Sequence, residues 1–364
     1  MVKHKTKILI TTLISMIAAS VYAHDIAVEN ADGVTLYYNI INDGKELEVT
    51  FQSGPGEYHL NTIVTVIPEE VTYNNVTWKV TRIGKKAFYC EFELPSVTIP
   101  NSVTSIEQEA FSSCYKLTSI SIGNSVTSIG NSAFSGCSRL NSITIPNSVT
   151  DIGVSAFHEC SGLGKLVIGN GVKTIGKGAF YGCSRLGTVY ISDLDAWCKI
   201  SFGDYDSNPL LGARNLYLNG KNTKELVIPN SVTSINDYAF YGCKALTSIT
   251  IPNSVTRIGY KAFNMDELKS VISLIKEPFV VDESIFSSNT FNTATLYVPK
   301  GTEDMYKKTN GWKKFLHIEE GTAGINSIIM DEDKNARIYD LFGRRLEKPQ
   351  KGVNIIGGKK IFVK

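Results

Sequence analysis

The apolar positions of this chain recur in one phase over most of its length. Aligned on the dipeptide Ala-Phe, residues Phe88, Phe111, Phe134, Phe157 and Phe180 follow one another at 23-residue intervals, and Phe240 and Phe263 resume the same phase after a gap of 60. Within one unit the apolar positions are Ile143, Ile145, Val149, Ile152, Ala156, Phe157, Cys160, Leu163 and Leu166. The period changes inside the unit. Ser142 to Ile145 alternates polar and apolar, as a half-buried strand does, whereas Ile152 to Leu163 steps by three and four, which predicts a short helix. A repeat of roughly 20 to 29 residues marks a solenoid, in which one turn cannot bury its own apolar side and stacking supplies the core.

The join between strand and return segment is written almost identically each time. Ile-Pro-Asn-Ser-Val-Thr begins at Ile99, Ile145, Ile228 and Ile251, with near copies at Ile122 and Ile168. In the copy at Ile145, Pro146 has no amide hydrogen to extend a sheet ladder, and Asn147-Ser148 favours a turn through side-chain bonds to nearby backbone. Val149 then returns to the core. Gly123 and Gly169 stand where the other copies have proline, and are expected to keep the bend through permissive backbone geometry.

These residues carry a family likeness. Leu140-x-x-Ile143-x-Ile145 resembles the strand of leucine-rich repeats, and the full unit, Ile-Pro-x-x-Val-x-x-Ile-Gly-x-x-Ala-Phe-x-x-Cys-x-x-Leu, resembles the BspA-like branch over about Val66 to Ile318. The resemblance implies an α/β solenoid of parallel strands with short helices. It also implies a surface protein engaged in adhesion to extracellular matrix. The chain departs from the standard repeat where a ladder asparagine is usual, since Ser148 stands there.

Around the array the pattern changes. Residues 1–23 combine Lys3, Lys5 and Lys7, an apolar run from Ile8 to Ala19 and the small-residue end Val21-Tyr22-Ala23, which reads as a secretory signal peptide. The run is too short for the roughly 20 residues that span a bilayer, and no transmembrane segment is expected. Residues 24–66 read as a β-rich N-terminal cap, with a hairpin at Asn42-Asp43-Gly44. The solenoid is assigned to 67–318, with an irregular insert over 191–227, and Trp312 with Phe315 is expected to seal its far end. A linker at 319–324 leads to a small β module over 325–364, whose Tyr339-Asp340-Leu341-Phe342-Gly343-Arg344-Arg345 and final Lys359 to Lys364 are similar to C-terminal sorting modules of type IX secretion substrates. That likeness implies delivery to the cell surface.

Charge and chemistry narrow the function. Without the three leader lysines, 34 basic residues face 35 acidic ones, a formal charge of −1. A chain without a concentrated basic face is a poor partner for nucleic acid. Cys114, Cys137, Cys160, Cys183 and Cys243 share one phase, so they are expected to stack inside as free thiols. No Cys-x-x-Cys or His-Glu-x-x-His occurs, and Gly171 to Gly178 has phosphate-loop spacing but lacks the final hydroxyl residue. No catalytic residue, metal or cofactor is therefore assigned.

What remains is surface. The outward residues of the strands form columns, Ser119 and Ser121, Ser142 and Thr144, Lys165 and Val167, Thr188 and Tyr190, Ser248 and Thr250, a mostly hydroxyl face suited to adaptable hydrogen bonding over a large area. The expected role is that of a non-catalytic monomer binding an extracellular protein. The alternative is a glycan-binding accessory protein whose insert supplies Trp197, Asp204, Tyr205 and Asp206.

Overall fold

The computed structural model describes residues 24–30, 33–51 and 66–321, together with the strand backbones Ile338–Tyr339, Arg345–Leu346, Gly352–Ile356 and Lys359–Val363. The leader at 1–23 lies outside the described residues. The chain between Val66 and Gly321 winds as a coil with three hydrogen-bonded edges, and the repeat of the sequence is one turn of that coil.

The first edge is the strand read from the alternating pattern. Ser142–Ile145 pairs in parallel with Lys165–Ile168, then Thr188–Ile191, then Asn215–Leu218. Inward Ile143, Ile145, Leu166 and Val189 are at most 2% exposed. The second edge is a run of two-residue strands, Ser105–Ile106, Ser128–Ile129, Asp151–Ile152, Thr174–Ile175 and Ser201–Phe202, paired in parallel. Between the two edges sits the recurring phrase. Asn101, Asn147 and Asn253 each accept, through Oδ1, a hydrogen bond from the backbone amide of the next turn, at Asn124, Asn170 and Lys276. Ser148 instead donates its hydroxyl to Val126 O at 2.7 Å. Side chains at the bend thus tie turn to turn in both directions.

The glycines of the phrase act differently from the expectation. Neither Gly123 nor Gly169 has a positive φ. A Cβ on Gly123 would lie 2.3 Å from Pro100 O, and one on Gly169 would lie 2.5 Å from Pro146 O, so close approach of adjacent turns selects the missing side chain.

The third edge corrects the helix expected over Ile152 to Leu163. The amides of Ser155, Phe157 and Glu159 donate to Lys177, Ala179 and Tyr181 of the next turn. Those between them, on Ala156, His158 and Cys160, reach back three residues to Gly153, Ser155 and Phe157. Ser155 and Glu159 have φ values of 54° and 56°, which no right-handed helix accommodates. Spacing by three and four here records a chain of tight turns that points every third or fourth side chain inward. Short α-helices, Leu194–Cys198, Ser288–Thr293 and Glu303–Lys308, occur in the atypical turns.

The core is a column of like on like. Phe88, Phe111, Phe134, Phe157 and Phe180 stack with centroids 4.9 to 5.3 Å apart and planes within 8°. Phe240, Phe263 and Phe286 stack likewise at 5.5 and 5.8 Å. Behind them Cys114, Cys137, Cys160 and Cys183 each donate a thiol hydrogen to the phenylalanine carbonyl of the preceding turn, at 3.0 to 3.2 Å. All seven cysteines are free, and Cys90 alone is not buried. Burial pushes the thiols of Cys183 and Cys243 up to about 12.

Both ends are closed. At the N-terminal end Ile26–Glu29, Thr35–Ile41 and Glu46–Thr50 pair antiparallel, and the last of these pairs in parallel with Val76–Ile83, which continues into the two-residue strands. At the other end Trp312 and Phe315 pack on Phe286, with centroids at 6.1 and 5.1 Å, and Tyr306 meets Trp312 edge-on. Beyond the array, the four strands between Ile338 and Val363 pair antiparallel.

Candidate functional site

The outer face of the long strands places the predicted columns as follows. Ser119, Ser121, Ser142, Thr144 and Lys165 are exposed, and Val167, Thr188, Tyr190 and Ser248 are half-buried. Thr250 is not available: it is 5% exposed, between its register partners Val227 and Ile272.

The face is less uniformly hydroxyl than its sequence implied. Along one column, Ser121 and Thr144 give way to Val167, Tyr190 and Tyr217. The rings of Tyr190 and Tyr217 stack at 4.6 Å and 23°, and the Lys165 ammonium sits 4.8 Å from the centre of the Tyr190 ring. An amphipathic ring pair with a cation over it is the kind of surface on which binding energy concentrates. Sequence reasoning missed Tyr217 because its turn is longer: Thr188 pairs with Asn215, 27 residues on. The signal was present in Asn215-Leu216-Tyr217-Leu218, which alternates as the other strands do.

The sheet stops there. Leu218 turns back through Asn219 and Gly220, both at positive φ, so that Lys221–Asn222 pairs antiparallel with Tyr217 and Leu218. A second five-stranded sheet then begins at Glu225–Val227 and runs through Ser248–Ile251, Ser270–Ser273 and Thr295–Val298 to His317–Glu320.

The insert is mostly scaffold. Trp197, predicted as a site residue, is 1% exposed and packs against Phe202, and its Nε1 donates to Ala239 O at 2.8 Å. Asn208 donates through Nδ2 to Tyr238 O and Ala239 O, and Asn236 donates to Lys199 O at 2.8 Å. Where the regular ladders fail, three side chains join the two stacks, beside a backbone bond from the Asn236 amide to Cys198 O at 2.8 Å. Asp204 is half-buried and accepts from the Gly178 amide at 3.0 Å, which also fixes it as part of the turn. Tyr205 is 45% exposed, with Asp206 beside it half-buried. Burial, and then the neighbouring Asp204, hold the Asp206 carboxyl above the usual range. Thus Tyr205 is exposed and Asp206 partly so, while Trp197 is buried. Among the described residues no group of three or more His, Cys, Asp or Glu is placed to hold a metal ion, and no helix is long and apolar enough to cross a membrane.

The model of the BspA type leucine-rich repeat region matches six copies over residues 81–204 and 213–310. The chain belongs to this family. The two matched stretches are separated at 205–212, which holds Asn208 of the side-chain junction, while the hairpin at Asn219 and Gly220 falls within the second stretch. A T. pallidum leucine-rich repeat protein is 26% identical, with a TM-score of 0.40 and coverage of 63% of this chain and 85% of that one. A leucine-rich cell surface protein of Faecalibacterium prausnitzii is 22% identical, with a TM-score of 0.39 and coverage of 84% and 97%. A Bacteroides ovatus leucine-rich repeat protein is also 22% identical, with a TM-score of 0.37 and coverage of 82% and 90%. No curated protein matches the chain. As a leucine-rich repeat protein of this type, the chain has a fold suited to binding other proteins over an extended surface.

Proposed function

We propose that this BspA-type protein is exported and binds an extracellular protein, of matrix or of a neighbouring cell, without chemistry. The outer face of its first long sheet makes the contact. The observation that carries this reading is the in-register column Val167, Tyr190 and Tyr217 with Lys165 over the ring. These residues interrupt an otherwise hydroxyl face at positions where the scaffold accepts serine and threonine. Stacked tyrosines offer rigid area with a polar rim, and protein interfaces concentrate their energy on such anchors. The signal-like leader supports export, and the sorting-like tail over 325–364 supports display at the surface.

The test is surface-immobilised matrix proteins, fibronectin, fibrinogen and collagen, offered to the purified chain. Binding to at least one is expected, with the paired substitution Tyr190→Ala and Tyr217→Ala weakening it by about 30-fold, as for loss of a hot spot of about 2 kcal/mol. Unchanged affinity in that variant would remove this face from the reading. Deleting Ile325 to Lys364 is expected to abolish surface display in the native host, and undiminished display would end the sorting role.

A further inference from the structure

A second set of aromatic rings lies on the edge of tight turns, separate from the long-strand face. Tyr205 meets Tyr241 at 5.6 Å, Tyr241 meets Tyr238 at 6.0 Å, and Tyr238 meets Tyr260 at 5.6 Å. Tyr181, Tyr205 and Tyr260 are 51%, 45% and 42% exposed, and Tyr181 and Asp206 line a cleft of about 230 Å³.

The fold does not require these rings. Tyr238 donates its amide to Tyr260 O as Ser155 does to Lys177 O, so the two tyrosines occupy the positions of a serine and a lysine. Tyr241 likewise stands where a regular turn has Ser135 or His158. Tyr238 carries a φ of 61°, a conformation that disfavours a bulky side chain and that Gly178 adopts at the equivalent position two turns earlier. Large rings gathered at positions where the scaffold takes small or polar residues point to use of the surface itself.

The surrounding chemistry selects the occupant. Lys261 Nζ lies 5.3 and 5.9 Å from the centres of the Tyr260 and Tyr241 rings, and Asp204 and Asp206 flank Tyr205. Charges of both signs at the middle of a patch are unlike the centre of a protein interface, which is depleted of them. A sugar ring offers what the patch can take: apolar C–H faces for the tyrosine rings and hydroxyl edges for the carboxylates and the ammonium. The cleft is smaller than the roughly 300 to 1,000 Å³ of a site enclosing a whole small molecule. It fits one ring of a longer chain lying across the turns.

We propose that Tyr181, Tyr205, Tyr241 and Tyr260 form a platform for a neutral polysaccharide, with Asp206 and Lys261 serving its hydroxyls. This surface is independent of the protein-binding face.

The test is affinity electrophoresis of the full chain in native gels cast with a soluble mannan, a β-glucan or an arabinogalactan. Retardation by at least one of them is expected, persisting in high salt because the ligand is uncharged. The double substitution Tyr205→Ala and Tyr241→Ala is expected to lower the affinity at least tenfold, and Tyr205→Phe to retain it. Thermal unfolding of each variant confirms that the turn is intact, and the Tyr190→Ala, Tyr217→Ala variant should be retarded like the native chain. No retardation in any of the three gels overturns the proposal, as does equal retardation of the double variant. Loss of matrix-protein binding in the Tyr205→Ala, Tyr241→Ala variant, with retardation kept, would assign the patch to a protein instead.

Discussion

Trp197 in one stack donates its indole hydrogen to the carbonyl of Ala239 in the next, at 2.8 Å. With Asn208 donating to the same oxygen at 3.0 Å, this contact stands where an ordinary turn would continue the ladder by backbone alone. The array is therefore two regular stacks spliced largely by side chains, with a backbone bond from the Asn236 amide to Cys198 O beside them.

That splice should be the weak plane of the array. In a solenoid, stability is close to a sum of turn and nearest-neighbour terms, so weakening one interface uncouples its two sides. Trp197→Ala is expected to cost about 3 to 5 kcal/mol, and Asn208→Ala about 1 to 3 kcal/mol for the buried groups left unpaired. Both should separate urea unfolding into two transitions, seen as non-coincident circular dichroism and tryptophan fluorescence. A single coincident transition in both variants would show that the junction is not the plane of separation.

The buried thiols make stability fall in alkali. Burial raises the folded-state pKa of Cys183 and Cys243 to about 12, while in the unfolded chain a thiol ionises near about 8.5. The unfolded state therefore loses protons first. The contribution is complete below that lower value and declines, by up to about 1.4 kcal/mol per pH unit for each thiol, until the folded-state value is passed. Urea midpoints measured from pH 8 to pH 10 should drop, and alanine at both positions should flatten the slope. Thiol titration of the denatured, unreduced chain should find the ladder cysteines free.

Glycine in the turn-to-turn column is expected to be irreplaceable. A Cβ on Gly153 would lie 2.6 Å from both the Asn131 nitrogen and the Gly130 carbonyl carbon. Gly153→Ala should cost about 1 to 3 kcal/mol through forced displacement of the turn. Gly44→Ala meets nothing within 4 Å and pays only for its φ of +82°, about 1 kcal/mol. Equal losses in the two variants would argue against close packing of the column.

Phe134 lies between Phe111 and Phe157 at 5.3 and 5.2 Å and is fully buried. Phe134→Ala should cost about 3 to 5 kcal/mol. Tyr115→Ala, at a site 47% exposed, should change stability by less than about 1 kcal/mol. Chemical denaturation of the two variants side by side checks the contrast.

The sequence discloses most of the scaffold because its core is periodic: Phe134, Phe157, Cys137 and Cys160 declare their burial by recurring. What it conceals is backbone sign. Ser155 and Glu159 do not look like left-handed residues, yet their positive φ converts a helix-like spacing into a ladder of turns. The insert misleads for another reason. Trp197 stands near acids and aromatics, as a sugar site would, but Leu194, Trp197 and Cys198 share the inward face of one short helix. Tyr217 escapes notice because four extra residues hide its phase, although its alternation is intact. Solvent-facing residues are the least legible, since only the register of neighbouring strands decides that Thr250 is covered and Tyr190 is not.

One property of the third edge reaches beyond any single turn. From Ser132 to Tyr181, each turn offers its successor the same donors and acceptors in the same order. Two such seams can be cut and rejoined one repeat apart with no new interface to evolve. Length is then a free variable of this molecule: reach can be tuned by whole turns while the caps, the splice and both proposed binding surfaces stay as they are.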